Sequence, residues 1–317
     1  MNEYLLLDYY EKRGFSVEEG LVAVEYVKAL KQPDSLTIQE IREHLDALIA
    51  QNENTKPRLL ALARYYYIIG RSDIYIYFTS ILGGLGVVES IEQRLKETVG
   101  EGPAKELLQT IEPPPLGADI AEYPDFTYDF VTKLESNLSF EICHDVLAGN
   151  NHKIPAEAFF AEKALYEESS SLDDYLKAYN QRQIAILQKH ADDGTVWFEQ
   201  KITQKVVDFV SQNQEIMSAV HDGDWLYATK IPYDPDRWLK SKDPLEKRYL
   251  ACHCPFVREA IRTNSHSFSG LWCSCSAGFA KYPYEVILDR PLKVETLESV
   301  LKGDSICRFR IYIGESE

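Results

Sequence analysis

No apolar run in this 317-residue chain reaches the length of a bilayer span; the longest candidate, residues 74–88, is broken by Ser80, Gly83, Gly84 and Gly86. The N-terminus, with Asp8, Glu11 and Lys12 close behind Met1, lacks the basic start and continuous apolar stretch of a secretory signal. Cysteine is scarce, six in all, and four of the six crowd together, which is not the pattern of a disulfide framework. Free thiols or metal ligands in a reducing compartment are the expectation, and the protein is expected to be cytoplasmic. The glycine cluster Gly83-Gly84-Leu85-Gly86 has neither the Lys nor the Ser/Thr of a phosphate loop. Basic side chains are also short, 34 against 50 acidic ones, for a net charge of −16. The deficit is uneven: residues 229–317 hold 14 basic and 12 acidic side chains, the first 228 residues 20 and 38. A body so acidic repels phosphate backbones, so neither nucleic acid nor a membrane is expected as a partner.

What is present suits a globular protein of two domains or one large one. Hydrophobic residues make up 45% and charged residues 26%, enough to bury a core without staples. Residues 17–31 carry Leu21, Val24, Val27 and Leu30 at helical spacing behind Ser16 as N-cap. Thr37 and Glu40 form a capping-box pattern that opens a second helix to about Ala50. Further helices are expected over 56–70, 87–98 and 103–111. The stiff Pro113-Pro114-Pro115 run then marks a boundary. Tyr65, Tyr66, Tyr67, Tyr75 and Tyr77 suit a helix-packing surface.

Beyond the prolines, helices are expected over 126–137, 139–147, 155–168, 172–190 and 204–214. Asp222-Gly223, flanked by β-prone residues, signals a hairpin over 217–227. A second hairpin, residues 292–299 with 306–313, turns around Lys302-Gly303-Asp304. In its second arm Cys307, Phe309, Ile311 and Ile313 alternate with Arg308, Arg310 and Tyr312, so one face is buried. The expected fold is α+β: an acidic helical N-terminal region, 1–112, then an antiparallel sheet covered by helices, 118–317, with both hairpins in one sheet.

The chemistry concentrates between the hairpins. Cys252-His253-Cys254 and Cys273-Ser274-Cys275 repeat a Cys-x-Cys pair across 18 intervening residues. In an extended segment that spacing puts both thiols of a pair on one face, and two such pairs could offer a zinc ion four soft ligands. A competing expectation treats Cys254 as the N-cap of a helix opened by Pro255, where free amides favour a thiolate. Cys275 stands similarly before a helix over 277–288. Either could be a nucleophile, with His253, His266 or His152 as base. Against both stands plain burial of small side chains. Trp272, Tyr282, Tyr284 and Glu285 surround the second pair and could line a ligand pocket.

The stretch Trp272-Cys273-Ser274-Cys275-Ser276-Ala277-Gly278-Phe279, with Glu295, Glu298, Gly303-Asp304 and Cys307-Arg308-Phe309, resembles the C-terminal half of 4-vinyl-reductase-like domains, which share the fold of TRAPP vesicle-tethering subunits. It is also similar to the tail of the aminothiazoline-carboxylate hydrolase-like family. The wider run 150–313 looks like a bacterial family known only as a domain of unknown function. These resemblances imply a small-molecule pocket between helices and sheet. In sensory relatives they imply a zinc held by Cys, Glu, Cys and Cys, with counterparts here at Cys273 or Cys275, Glu298 or Glu295, and Cys307. Ser299 stands where the remaining cysteine of that set would be. The leading expectation is thus binding of a small organic molecule at a cysteine-rich pocket, with zinc the candidate cofactor at Cys252, Cys254, Cys273 and Cys275. The alternatives are a cysteine-dependent hydrolase of a cyclic amidine or amide, using Cys254 or Cys275, and an interaction scaffold. A homodimer is compatible with any of these.

Overall fold

The structure, a computed structural model, describes residues 1–314. Its contacts divide the chain into two compact units, residues 1–83 with 114–122, and residues 84–113 with 123 onward. The triple-proline run is one crossing between units, but not a single cut: the helices expected over 87–98 and 103–111 belong to the second unit, not the first.

The first unit is helical: α1 (Glu3–Lys12), α2 (Val17–Lys28), α3 (Ile38–Ala50), α4 (Lys56–Ile68) and α5 (Ser72–Leu82). Helices α1 and α5 had no clear sequence signal. Both expected N-caps form as full capping boxes. Ser16 accepts from the Glu19 amide at 3.1 Å, and Thr37 accepts from the Glu40 amide at 3.2 Å. Each such cap is worth about 1 kcal/mol. The helical spacing read at Val24 and Val27 turns inward, where these residues join Leu6, Ile41, Leu62, Tyr66 and Phe78 in one core. Of the tyrosines, Tyr65 and Tyr66 are fully buried, and Tyr65 donates to Asp34. By length and a mean hydropathy of 1.5, residues Ser72–Val99 do reach what a bilayer span requires. The run is divided by the turn at residues 83–86, and Ile74, Phe78, Ile81, Val87, Val88, Ile91 and Leu95 along it are buried.

The second unit begins with α6 (Val87–Val99), α7 (Glu101–Leu108), α8 (Tyr123–Asn137), α9 (Phe140–Leu147), α10 (Phe160–Glu167) and α11 (Leu172–Asp193). A two-stranded hairpin, β1 (Val196–Trp197) with β2 (Gln200–Lys201), precedes α12 (Gln204–Ser211). Then come β3 (Val220–Asp222), β4 (Trp225–Thr229), α13 (Pro235–Lys240), α14 (Pro244–Ala251), α15 (Arg258–Thr263), α16 (Ser274–Ile287), β5 (Lys293–Glu298) and β6 (Arg308–Tyr312). Strands β3 to β6 form one antiparallel sheet in the order β3-β4-β6-β5, so the fold is α+β with both hairpins in one sheet. The first hairpin pairs Asp222 with Trp225, so its turn is Gly223-Asp224, one residue later than expected, with Gly223 at φ +58°. A bulge at residues 296–298 interrupts the pairing of β5 with β6.

Alternation along the strands sorts the two faces. Leu226 and Ala228 on β4, Phe309 and Ile311 on β6, and Val294 on β5 are buried, and α16 packs against β5 and β6 on the covered side. On the other face Arg310 pairs with Glu295 at 2.6 Å and lies 4.2 Å over the Trp225 ring. Phe309, 1% exposed at the centre of β6, bears most on the sheet. Phe309→Ala is expected to lower stability by about 3–5 kcal/mol in urea denaturation of the second unit. Phe198→Ala, at a residue 67% exposed, is expected to leave the midpoint essentially unmoved.

Candidate functional site

Five of the six cysteines meet in the second unit, between α16, the β6 end of the sheet and the segment after α14. Cys252, Cys273, Cys275 and Cys307 are buried and Cys254 is half-buried; Cys143 lies apart on α9. Burial is the main reason that all five thiols sit above the ordinary cysteine range, Cys275 at about 12. They also form one electrostatic neighbourhood, because a charge on Cys254 raises the pKa of each of the other four. The thiols are therefore held protonated, in a medium that resists a bare negative charge.

The two pairs present their sulfurs differently. Residues 252–254 lie outside any helix, and both thiols join the cluster while His253 between them bonds to Glu199 and the Ile231 carbonyl. The second pair is not extended. Residues Leu271–Cys273 form a single 3-10 turn that runs straight into α16, so Cys273 is the N-cap and Cys275 lies inside the first turn. Residues two apart on a helix do not share a face. Cys273 accordingly accepts from the Ser299 hydroxyl at 3.1 Å, and Cys275 faces His152 Nε2 at 3.8 Å. This splay bears directly on zinc. Thiols are present in sufficient number, yet among the described residues no three His, Cys, Asp or Glu side chains are grouped to hold a metal ion. As placed, Cys252, Cys254, Cys273 and Cys275 do not converge on one tetrahedral point.

Cys254 is not a helix N-cap. Helix α15 starts at Arg258 with Val257 as its cap, since Pro255, Phe256 and Val257 form a turn instead of a first helical turn. That turn still aims amides at the sulfur. Cys254 accepts from the Trp272 indole at 3.2 Å and from the backbone of Phe256 and Val257. These donors, with the nearby charge of Lys230, work against a raised pKa that burial imposes.

Of the three proposed bases, only His152 meets a cysteine. His253 is clamped, Nδ1 to Glu199 at 2.7 Å and Nε2 to the Ile231 carbonyl at 2.6 Å. Burial is the largest single influence on Glu199 and works against its charge, but the hydrogen bond to His253 together with the charges of His253, Lys230 and Arg258 keeps the carboxyl below its ordinary range. His266 is held by Asp125 at 2.7 Å and stacks on Tyr128. His152 keeps an exposed edge, while its packed side faces Cys275 and Phe279. Desolvation on that packed side, then the charge of Lys230, pull its pKa below the ordinary histidine range, so the imidazole is neutral at pH 7.

The four residues expected to share a pocket separate. Trp272, 1% exposed, is core, packed edge-on against Phe130 and Phe256. Tyr284 is buried on another side of α16, bonded to Ser218. Tyr282 and Glu285 do line an open cleft of about 380 Å3, with Phe160, Lys163, Asp289 and Arg290. Its charges are already engaged: Lys163 pairs with Asp289 at 3.1 Å, Glu285 pairs with Lys281 at 2.8 Å, and Arg290 holds the Ile313 carbonyl.

Three residues of the cluster escaped sequence reasoning: Asn151, Glu199 and Lys230. For Lys230 a signal existed. It continues the inward series Leu226, Ala228 along β4, where a lysine is out of place. Glu199 and Asn151 are brought in by loops and had none.

Gly278 sets this arrangement. A Cβ there would lie 2.5 Å from the backbone carbon and oxygen of Ala148, just ahead of Asn151 and His152. Gly278→Ala is expected to cost about 1–3 kcal/mol through overpacking. It should also move the His152 imidazole NMR signals, whereas Gly194→Ala, where a Cβ meets open space, should leave them in place.

Residues 236–316, about a quarter of the chain, match the model of a family of unknown function (DUF6144). Neither the curated proteins nor the solved structures contain a match.

Proposed function

We propose that this protein binds a small organic molecule at its cysteine cluster, entering where Cys275 meets His152. One observation carries the reading. Among the described residues, Cys275 is the cluster thiol paired with a side chain that is itself open to solvent. The likeness of the C-terminal motif to 4-vinyl-reductase-like and aminothiazoline-carboxylate hydrolase-like domains supports it, since both imply a small-molecule pocket between helices and sheet. The reading uses the thiols with their protons on, as placed. Zinc at Cys252, Cys254, Cys273 and Cys275 would require the two pairs to draw together and shed those protons.

A second reading, a cysteine-dependent hydrolase of a cyclic amidine or amide, is favoured by the same pair. A neutral imidazole beside a thiol can take its proton at Nε2 while the sulfur attacks the electrophilic carbon. The leaving nitrogen then recovers the proton, and water releases the acyl group from sulfur. Under this reading Cys275 is the nucleophile, and Cys254, which has donors but no base, is not.

The binding reading is tested with a panel of small chloroacetamides of different shape, mapped by peptide mass spectrometry. Labelling of Cys275 in the native protein should vary with fragment shape by about tenfold or more, the selectivity that a shaped apolar site gives. In urea the same fragments should differ little. Equal native and unfolded selectivity at Cys275 would remove the pocket. For the hydrolase reading, His152→Ala should slow labelling of Cys275 by about a hundredfold, the lower range of general-base assistance. An unchanged rate would leave binding alone.

A further inference from the structure

Lys230 is a cation with no ion pair among the described residues. Its ammonium donates to the Ser276 hydroxyl at 3.1 Å and lies 5.2 Å over the Phe279 ring. Glu199, on which its charge acts, is hydrogen-bonded to His253. Ser276 follows Cys275 directly, and the same Phe279 ring that carries the ammonium packs at 5.1 Å against His152. Lys230 therefore shares one small region with the Cys275–His152 pair. The carboxylate whose charge reaches Lys230, that of Glu199, thus gives its hydrogen bond to His253 and not to the ammonium. A half-buried ammonium left in this state costs free energy that a bound anion would recover.

A second observation is independent of charge. Asn151, 1% exposed, spends its Nδ2 on the carbonyls of Leu147 at 2.7 Å and Val146 at 3.3 Å. Its Oδ1 is buried with no hydrogen-bond partner, although the side chain reaches Cys275. An orphaned buried acceptor is rare in a finished site, and a donor on the ligand, on a part other than its charged group, would satisfy it.

From these contacts we infer that the ligand is an organic anion, a small carboxylate whose head group is held by Lys230 and Ser276 beside Cys275. The inference rests on the proposed binding site at Cys275 and names the class of molecule it takes. Overall charge cannot produce the preference, since a protein of net charge −16 repels anions at long range. Only the local cation can.

The test compares iodoacetate with iodoacetamide, alike in shape and different in charge, scored at Cys275 by peptide mass spectrometry. In either reaction sulfur displaces iodide from the methylene carbon, and the thiol proton leaves to His152. Each rate is divided by that of the same cysteine in the urea-unfolded chain. The native ratio of iodoacetate to iodoacetamide should rise about tenfold above the unfolded one, the scale of one charge-assisted hydrogen bond. Lys230→Met should abolish the rise and Lys230→Arg should retain it. Should the variants not fold, wild-type protein decides: propionate should slow labelling of Cys275 by iodoacetamide and propionamide should not. A native ratio at or below the unfolded one, with iodoacetamide still reacting, overturns the anion subsite and leaves the binding site standing. Failure of both reagents to reach native Cys275 overturns the binding site and this inference with it.

Discussion

The backbone of α16 runs so close to Ala148 and Gly149 that residue 278 has no room for a side chain, and the arrangement of the second unit depends on that approach. It sets the N-terminal turn of α16 against the loop that follows α9, and so brings Cys275 to His152 and Asn151. The far side of α16 rests on β5 and β6. Arg94 holds the last turn of α9, donating to the carbonyls of Asp145 at 2.8 Å and Val146 at 3.1 Å. Thus a backbone contact, made without any reactive group, determines which thiol has a base and which has none.

Electrostatics then separates the cysteines by task. All five resist ionisation because they are buried, but their surroundings differ. Cys273 is tied to Ser299, whose amide in turn donates to Asp304 at 2.8 Å. Cys254 is surrounded by donors that no base accompanies. Among the described residues Cys275 is the one of the five that faces an imidazole, and Lys230 is bonded to its neighbour Ser276. The position that holds a cysteine in the sensory zinc set is here a fully buried serine, 0% exposed, bonded to a thiol. That change removes a ligand and adds a hydroxyl donor. That donor works against the raised pKa that burial imposes on Cys273.

Much of the fold was legible because it rests on local rules. Ser16 and Thr37 announced their helices through capping chemistry, and the alternation around Phe309 and Ile311 fixed the inner face of β6. Helices α13 and α14 went unread because Pro235 and Pro244, each in a first turn, look like breakers until their Asp caps, Asp234 and Asp243, are considered. The site was legible only in composition. The sequence placed the cysteines near one another, but their directions depend on whether each pair is extended or helical. Trp272-Cys273-Ser274-Cys275 carries no strong signal for either, and reading it as extended produced the expectation of four convergent sulfurs. Asn151 and Glu199 arrive from distant loops, which periodicity cannot anticipate.

The margins of the sheet have a bearing on assembly. β3 contributes only three residues at one edge and ends in Asp222; β5, at the other edge, carries Lys293 and Glu295 and is bent by the bulge at residues 296–298. Short, charged and kinked edges are poor templates for an incoming strand. A second copy of the chain could not readily continue this sheet across a two-fold axis. Edges of this kind also work against the edge-to-edge stacking of sheets that leads to fibres.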